Sequence, residues 1–180
     1  MSHWKFIPGA ETELYFTTST VVGWIYIFTE PEYFEIIIDS LKYCQQHKGL
    51  RVAGYVIMPN HLHLICAGSK ENRLSDIFRD FKHYTARDVL ENLRANRRLR
   101  ELDIFRRAAK RESNGNEHRF WMQGMHPIIL ESKSLFREKL NYIHSNPVRK
   151  EFVELPEHWL YSSARNYVLD DHSILRVECM

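Results

Sequence analysis

The chain has 180 residues, 44% of them hydrophobic and 27% charged, with a formal net charge of +2. This is the balance of one soluble globular domain spanning 1–180, not of a disordered chain. No apolar run approaches the roughly 20 residues of a membrane span and no secretory leader pattern opens the chain, so a cytoplasmic protein is expected.

In chain order, LYFTTSTVVGWIYIFT (14–29) is rich in aromatic and β-branched residues and predicts one or two strands, broken near Thr20 or Gly23. PEYFEIIIDSLKYCQQHKG (31–49) predicts a helix opened by Pro31 and closed by Gly49. RVAGYVIM (51–58) and HLHLICA (61–67) predict two strands joined tightly through Pro59 and Asn60. The stretch 74–111 carries apolar residues at helical spacing, with Leu74, Ile77, Phe78 and Phe81 on one stripe. It predicts a long helix capped by Asn72 or Ser75, with a break near Asn96. RESNGNEHR (111–119) is a polar loop and HPIIL (126–130) a strand. SKSLFREKLNYIHSN (132–146) is an amphipathic helix ended by Pro147. This order describes an α+β fold that a ferredoxin-like βαββαβ core accommodates, with helices packed on an antiparallel sheet.

Cys44, Cys66 and Cys179 are odd in number, scattered and without a CxxC pair, which argues for packing roles rather than disulfides or a thiolate zinc site. Between Arg94 and Arg111 eight basic residues face only Glu101 and Asp103. Such a segment is either a polyanion-binding surface or a solvated helix face.

Two places carry possible chemistry. On a strand, residues i and i+2 share a face, so His61 and His63 project together while Leu62 and Leu64 point away. They are either a pair of imidazole ligands for one divalent ion or two histidines satisfied by the protein or by water. On the helix ending at NYIHSNP, Tyr142 and Asn146 are i and i+4 and share a face. An amide oxygen can complete a metal site and a phenol beside it can act as a nucleophile; a half-buried tyrosine and a pre-proline asparagine are the alternative.

MPNHLHLI, LSDIFRDFKHYTA, FWMQGMHPIIL and KLNYIHSNPVRKEFVELPEHWLYSSARNY, in one order from Tyr55 to Tyr167, together resemble the single-tyrosine HUH transposases. Within these they are most similar to the REP-associated tyrosine transposases. The resemblance implies an HUH endonuclease fold with His61 and His63 holding Mg²⁺ or Mn²⁺. It makes Tyr142 the nucleophile and puts Asn146 in the position of the third ligand, where insertion-sequence relatives often carry Gln. Tyr84, Tyr161 and Tyr167 compete with Tyr142, but none has an amide four residues on before a proline. The implied partner is a palindromic hairpin in single-stranded DNA, bound by a monomer or a homodimer. Arg79, Lys82, Arg97, Arg98 and Arg100 are candidate phosphate contacts, and Arg149 and Lys150 candidates for holding the strand near the cleavage point. Tyr84 or Trp121 can stack bases, with Trp121 better suited to the core. The basic segment 94–119 reads as an enlargement relative to shorter relatives. Two further readings stand beside the transposase: a water-using metal phosphodiesterase, and a domesticated hairpin-binding protein without activity.

Overall fold

The structure, a computed structural model, describes residues 13–111, 117–124 and 126–179. Four strands, β1 (Tyr15–Thr20), β2 (Arg51–Met58), β3 (His61–Ala67) and β4 (Ile128–Ile129), form one sheet in the order β2-β3-β1-β4. All its pairings are antiparallel. β2 and β3 have the bounds expected from sequence, because Pro59 and Asn60 interrupt two runs that each suit a pleated ladder.

The alternation along β3 divides the core. Leu62, Leu64 and Cys66 pack with Tyr55 and Ile57 of β2 beneath two helices, α1 (Pro31–Lys48) and α2 (Leu74–Ala95). On the opposite face Ile65, Val56, Met58 and Phe16 pack against Phe136, Leu140 and Ile143 of a later helix, α4 (Lys133–His144). Between α2 and α4 lies α3 (Leu99–Lys110), and two short helices, α5 (Asn146–Arg149) and α6 (Ala164–Leu169), follow. The C-terminal segment runs along the open side of β2: Ile57 N–H donates to the Tyr161 carbonyl at 2.9 Å and Ser163 N–H to the Tyr55 carbonyl at 2.9 Å. It thereby shields an edge that would otherwise offer unpaired backbone groups.

Several expected elements change. The first strand ends at Thr20, at the expected break, and no second strand follows it toward 29, because Gly23 (φ 70°) and Trp24 (φ 56°) take left-handed backbone incompatible with a ladder. The helical stretch 74–111 breaks at Asn96, where a break was expected, into α2 and α3, and between them Arg97 is left-handed at φ 54°. Neither Asn72 nor Ser75 caps α2; its N-cap is Arg73, which makes no side-chain capping bond. The strand expected over 126–130 shrinks to two exposed residues. Part of the loop 111–119, residues 112–116, lies outside the described residues.

The most consequential change is at Tyr142. The helix of 132–146 ends at His144, and Asn146 opens the separate four-residue α5 with Pro147 inside its first turn. A proline has no N–H to contribute, so it is tolerated where a helix restarts. Tyr142 and Asn146 are therefore four residues apart but on two consecutive helices, not one.

Candidate active site

β3 and α4 bring the expected chemistry together. His61 and His63 do share a face, with ring centroids 4.7 Å apart, and Tyr142 lies edge-on to His63 with centroids 5.4 Å apart. Phe16 of β1 stacks on His63 at 5.3 Å and meets the Tyr142 ring edge at 6.1 Å, forming an apolar floor. Tyr142 remains 40% exposed while His63 is only 5% exposed, so of these two rings the phenol is the accessible one.

α4 can approach this closely because β2 carries glycine at position 54. A Cβ there would stand 2.8 Å from Leu140 Cδ1 and 3.1 Å from Ile143 Cδ1. The N-terminus of α4 is held by Ser132, whose Oγ accepts from the Leu135 N–H at 3.1 Å.

Both imidazoles are anchored through Nδ1. Asn60 Oδ1 lies 2.6 Å from His61 Nδ1, and Thr18 Oγ1 lies 2.8 Å from His63 Nδ1. Asn60 uses its amide nitrogen to donate to the Trp24 carbonyl at 3.0 Å, so its oxygen is left to accept from His61. That fixes the His61 tautomer, with the proton on Nδ1 and the lone pair on Nε2. Burial pushes the His61 pKa down to about 4, with the Lys150 charge adding to it. Burial likewise pushes His63 to about 3, reinforced by the charges of His61 and Arg149 and opposed by a hydrogen bond with the Thr17 backbone. Both are neutral near pH 7, the form that ligates a cation.

Arg149 belongs to the same cluster. Its guanidinium lies 4.6 Å from the centre of the Tyr142 ring and donates to the Tyr142 carbonyl at 3.1 Å. Lys150 is exposed at the end of α5. Asn146 is buried, with 6% exposure, and its Nδ2 has no hydrogen-bond partner. The orphaned atom is a hydrogen-bond donor whose burial costs about 1–3 kcal/mol, and an oxygen of a bound anion, not a cation, would satisfy it; a cation would take Oδ1. Among the described residues no three His, Cys, Asp or Glu side chains group closely enough to hold a metal. The side chains that could hold a divalent ion are the two imidazoles and the Asn146 amide oxygen, and the neutral rings, with His61 presenting its Nε2 lone pair, fit that use.

The remaining basic candidates divide. Arg79 is exposed but pairs with Asp76 at 2.8 Å and Asp80 at 3.1 Å. Arg98 is held by Glu30 at 3.0 Å and Glu101 at 2.7 Å, so most of its charge is already answered within the protein. Arg97 and Arg100 are exposed around the α2–α3 turn. Lys82 donates to the Gly124 carbonyl at 3.4 Å and its pKa is lowered by burial and by Arg119. Trp121 is a core residue, donating Nε1–H to Thr85 Oγ1 at 3.0 Å, and so is closed to base stacking. Tyr84 is exposed, but it lines a groove of about 560 Å³ between α1 and α2, on the opposite side of the sheet from Tyr142. Glu32, Glu35 and Asp39 also line that groove, and its two cations, Lys48 and Arg87, are paired with Asp80 and Asp88, so its net charge is acidic and disfavours phosphate. Of the competing tyrosines, Tyr161 stacks on Phe34 at 3.8 Å and Tyr167 donates to the Ala53 carbonyl at 2.7 Å.

Asn60, Thr18 and Phe16 are the site residues that pattern reading missed. Asn60 carried a local signal, as a side-chain amide directly before the first histidine. Thr18 and Phe16 come from β1 and carried none, since only the β1–β3 register sets Thr18 opposite His63.

Residues 27–117, half of the chain, match the family model described as "Transposase IS200 like". The protein belongs to the IS200-like transposases, a family of DNA-acting enzymes. The matched span contains His61 and His63 and ends before Tyr142 and Asn146. A solved structure described as a REP-associated tyrosine transposase bound to a REP hairpin aligns over 100% of both chains, with a TM-score of 0.62 and 15% identity. That likeness is one of fold: an antiparallel sheet with helices packed on it. No curated protein matches the chain.

Proposed function

We propose that this protein is a metal-dependent single-stranded DNA endonuclease and strand transferase of the HUH type, which cleaves beside palindromic hairpins through Tyr142. The observation that carries the reading is the convergence of Tyr142, His61 and His63 from two distant segments, with Arg149 over the phenol ring. A divalent ion, Mg²⁺ or Mn²⁺, when held by His61, His63 and Asn146, would supply charge stabilisation at the non-bridging oxygens of a scissile phosphate.

The chain's own residues do the rest. Tyr142 Oη forms a bond to phosphorus as the bond to the 3′ oxygen breaks, leaving a 5′-phosphotyrosine and a 3′-hydroxyl. The phenol proton leaves during attack and the departing oxygen takes one up. His144 is not the base: it is half-buried, and its Nε2 is engaged with Ser163 Oγ at 2.8 Å. Arg149 keeps positive charge beside the phenol as negative charge develops there. Attack by another 3′-hydroxyl on the phosphotyrosine rejoins strands without a nucleotide cofactor. The hairpin bound by the solved structural neighbour supports the same class of partner for this chain.

The test is incubation of the protein with labelled palindromic single-stranded DNA in Mg²⁺ or Mn²⁺, followed by denaturing electrophoresis. A protein–DNA adduct that Tyr142→Phe abolishes is the expected result. Cleavage persisting at normal rate in Tyr142→Phe would mean that water is the nucleophile. Hairpin binding with no adduct in either metal would leave a binding protein without activity.

A further inference from the structure

Beside the site stands an aromatic surface that the chemistry above does not use. Trp24, which closes a short 3-10 turn (Val22–Trp24) after β1, is 59% exposed, and Tyr26 just beyond it is 54% exposed. An exposed tryptophan of this degree in left-handed backbone (φ 56°) is doubly unfavourable, since a bulky side chain avoids that region and its ring gains nothing from water.

The segment is held firmly in that conformation. Val21 N–H donates to the Asn60 carbonyl, and Ile27 and Phe28 N–H both donate to the Pro59 carbonyl, each at 2.9 Å. The Trp24 carbonyl itself accepts from Asn60 Nδ2, the amide whose oxygen orients His61. Behind it, a Cβ on Gly23 would touch Ile104 Cγ2 of α3 at 3.6 Å. The Trp24 backbone is thus one residue's hydrogen bonds away from a proposed metal ligand, and the ring is presented to solvent by a braced turn.

From this geometry we infer that Trp24, with Tyr26, is a stacking platform for unpaired bases of the single strand that enters the site. The inference rests on the function proposed above and adds to it a base-contacting surface. Lys150 and Arg149 supply cations for the backbone of that strand at the end of α5, while Trp24 and Tyr26 supply faces for its bases. Every base has a π-face, so the platform gives affinity and position rather than sequence choice.

The experiment compares two labelled single strands of about 16 nucleotides, one of mixed bases and one abasic with the same phosphates, by fluorescence anisotropy in EDTA. The wild type should bind the mixed-base strand about 5- to 100-fold more tightly. Trp24→Ala should lose most of that preference and keep its weak binding of the abasic strand, whereas Trp24→Phe should retain it. Trp24→Gly separates binding from folding: it relieves the left-handed backbone, so its Tm should equal or exceed that of the wild type while the preference disappears. Equal preference in wild type and Trp24→Gly overturns the platform, and intact adduct formation would then leave the proposed enzyme standing. Concentration-dependent self-association abolished by Trp24→Ala, with DNA affinity unchanged, overturns it in favour of a surface for a second copy. Absence of any single-strand binding by the wild type overturns both inferences.

Discussion

Asn60 shows how much of this site depends on a residue that does no chemistry. Its oxygen holds His61 Nδ1 at 2.6 Å and its nitrogen holds Trp24 at 3.0 Å, so one side chain sets a tautomer and a turn together. Partners of metal-binding imidazoles typically contribute 10- to 100-fold to metal affinity. Asn60→Ala should therefore weaken Mn²⁺ binding by about that factor in a calorimetric titration, with little change in fold. Arg149 acts on the other member of the pair. Removing it as Arg149→Ala takes the cation from the Tyr142 ring and the donor from its carbonyl. Adduct formation should fall by about 100-fold in single-turnover assays, with Arg149→Lys restoring only part, because a lysine cannot both cover the ring and reach the carbonyl.

At the level of elements, the site is a matter of how near α4 lies to the sheet. Gly54 permits that approach, with Leu140 and Ile143 in the space a side chain would occupy. Gly54→Val should push α4 outward and cost about 1–3 kcal/mol in denaturant unfolding through overpacking. The loss in adduct formation should exceed what the unfolded fraction explains, because Tyr142 is displaced from His63 along with its helix. The α4–α5 break has a related consequence. Helical periodicity alone stacks Tyr142 and Asn146 on one face, and the chain instead restarts at Asn146, with the amide buried and unpartnered at Nδ2. A one-dimensional pattern registers Pro147 as a stop, but whether the chain turns away or resumes depends on what it packs against.

Across the whole molecule, the two faces of one sheet do different work. α1 and α2 close one face over a continuous apolar core, and the acidic groove between them lies away from the imidazoles. The other face ends in polar residues, where His63 is buried and His61 half-buried. His144, also pushed down to about 4 by burial, lies on α4 on the same side. These three histidines have folded pKa values below the unfolded value near 6.5, so between about 4 and 6.5 the unfolded chain binds more protons. Their contribution to stability is intact above pH 6.5 and is lost as pH falls toward 4. Urea midpoints should hold steady above pH 6.5 and drop progressively below it, before carboxylates titrate. No helix among the described residues is long and apolar enough to cross a membrane.

Sequence by itself determined the strands β2 and β3, the opening and closing of α1, and the shared face of His61 and His63. These follow from period, proline, glycine and asparagine chemistry within a few residues. It also singled out Tyr142, through likeness to the HUH transposases in a motif about 80 residues from the histidines. Only the tertiary structure decided that Arg98 is committed to Glu30 and Glu101. The same holds for Thr18 opposite His63 and for the proximity of Trp24 to the site. These relations join segments distant along the chain or depend on backbone angles at single residues. Composition and periodicity describe neighbours on the chain, whereas a site is assembled from neighbours in space.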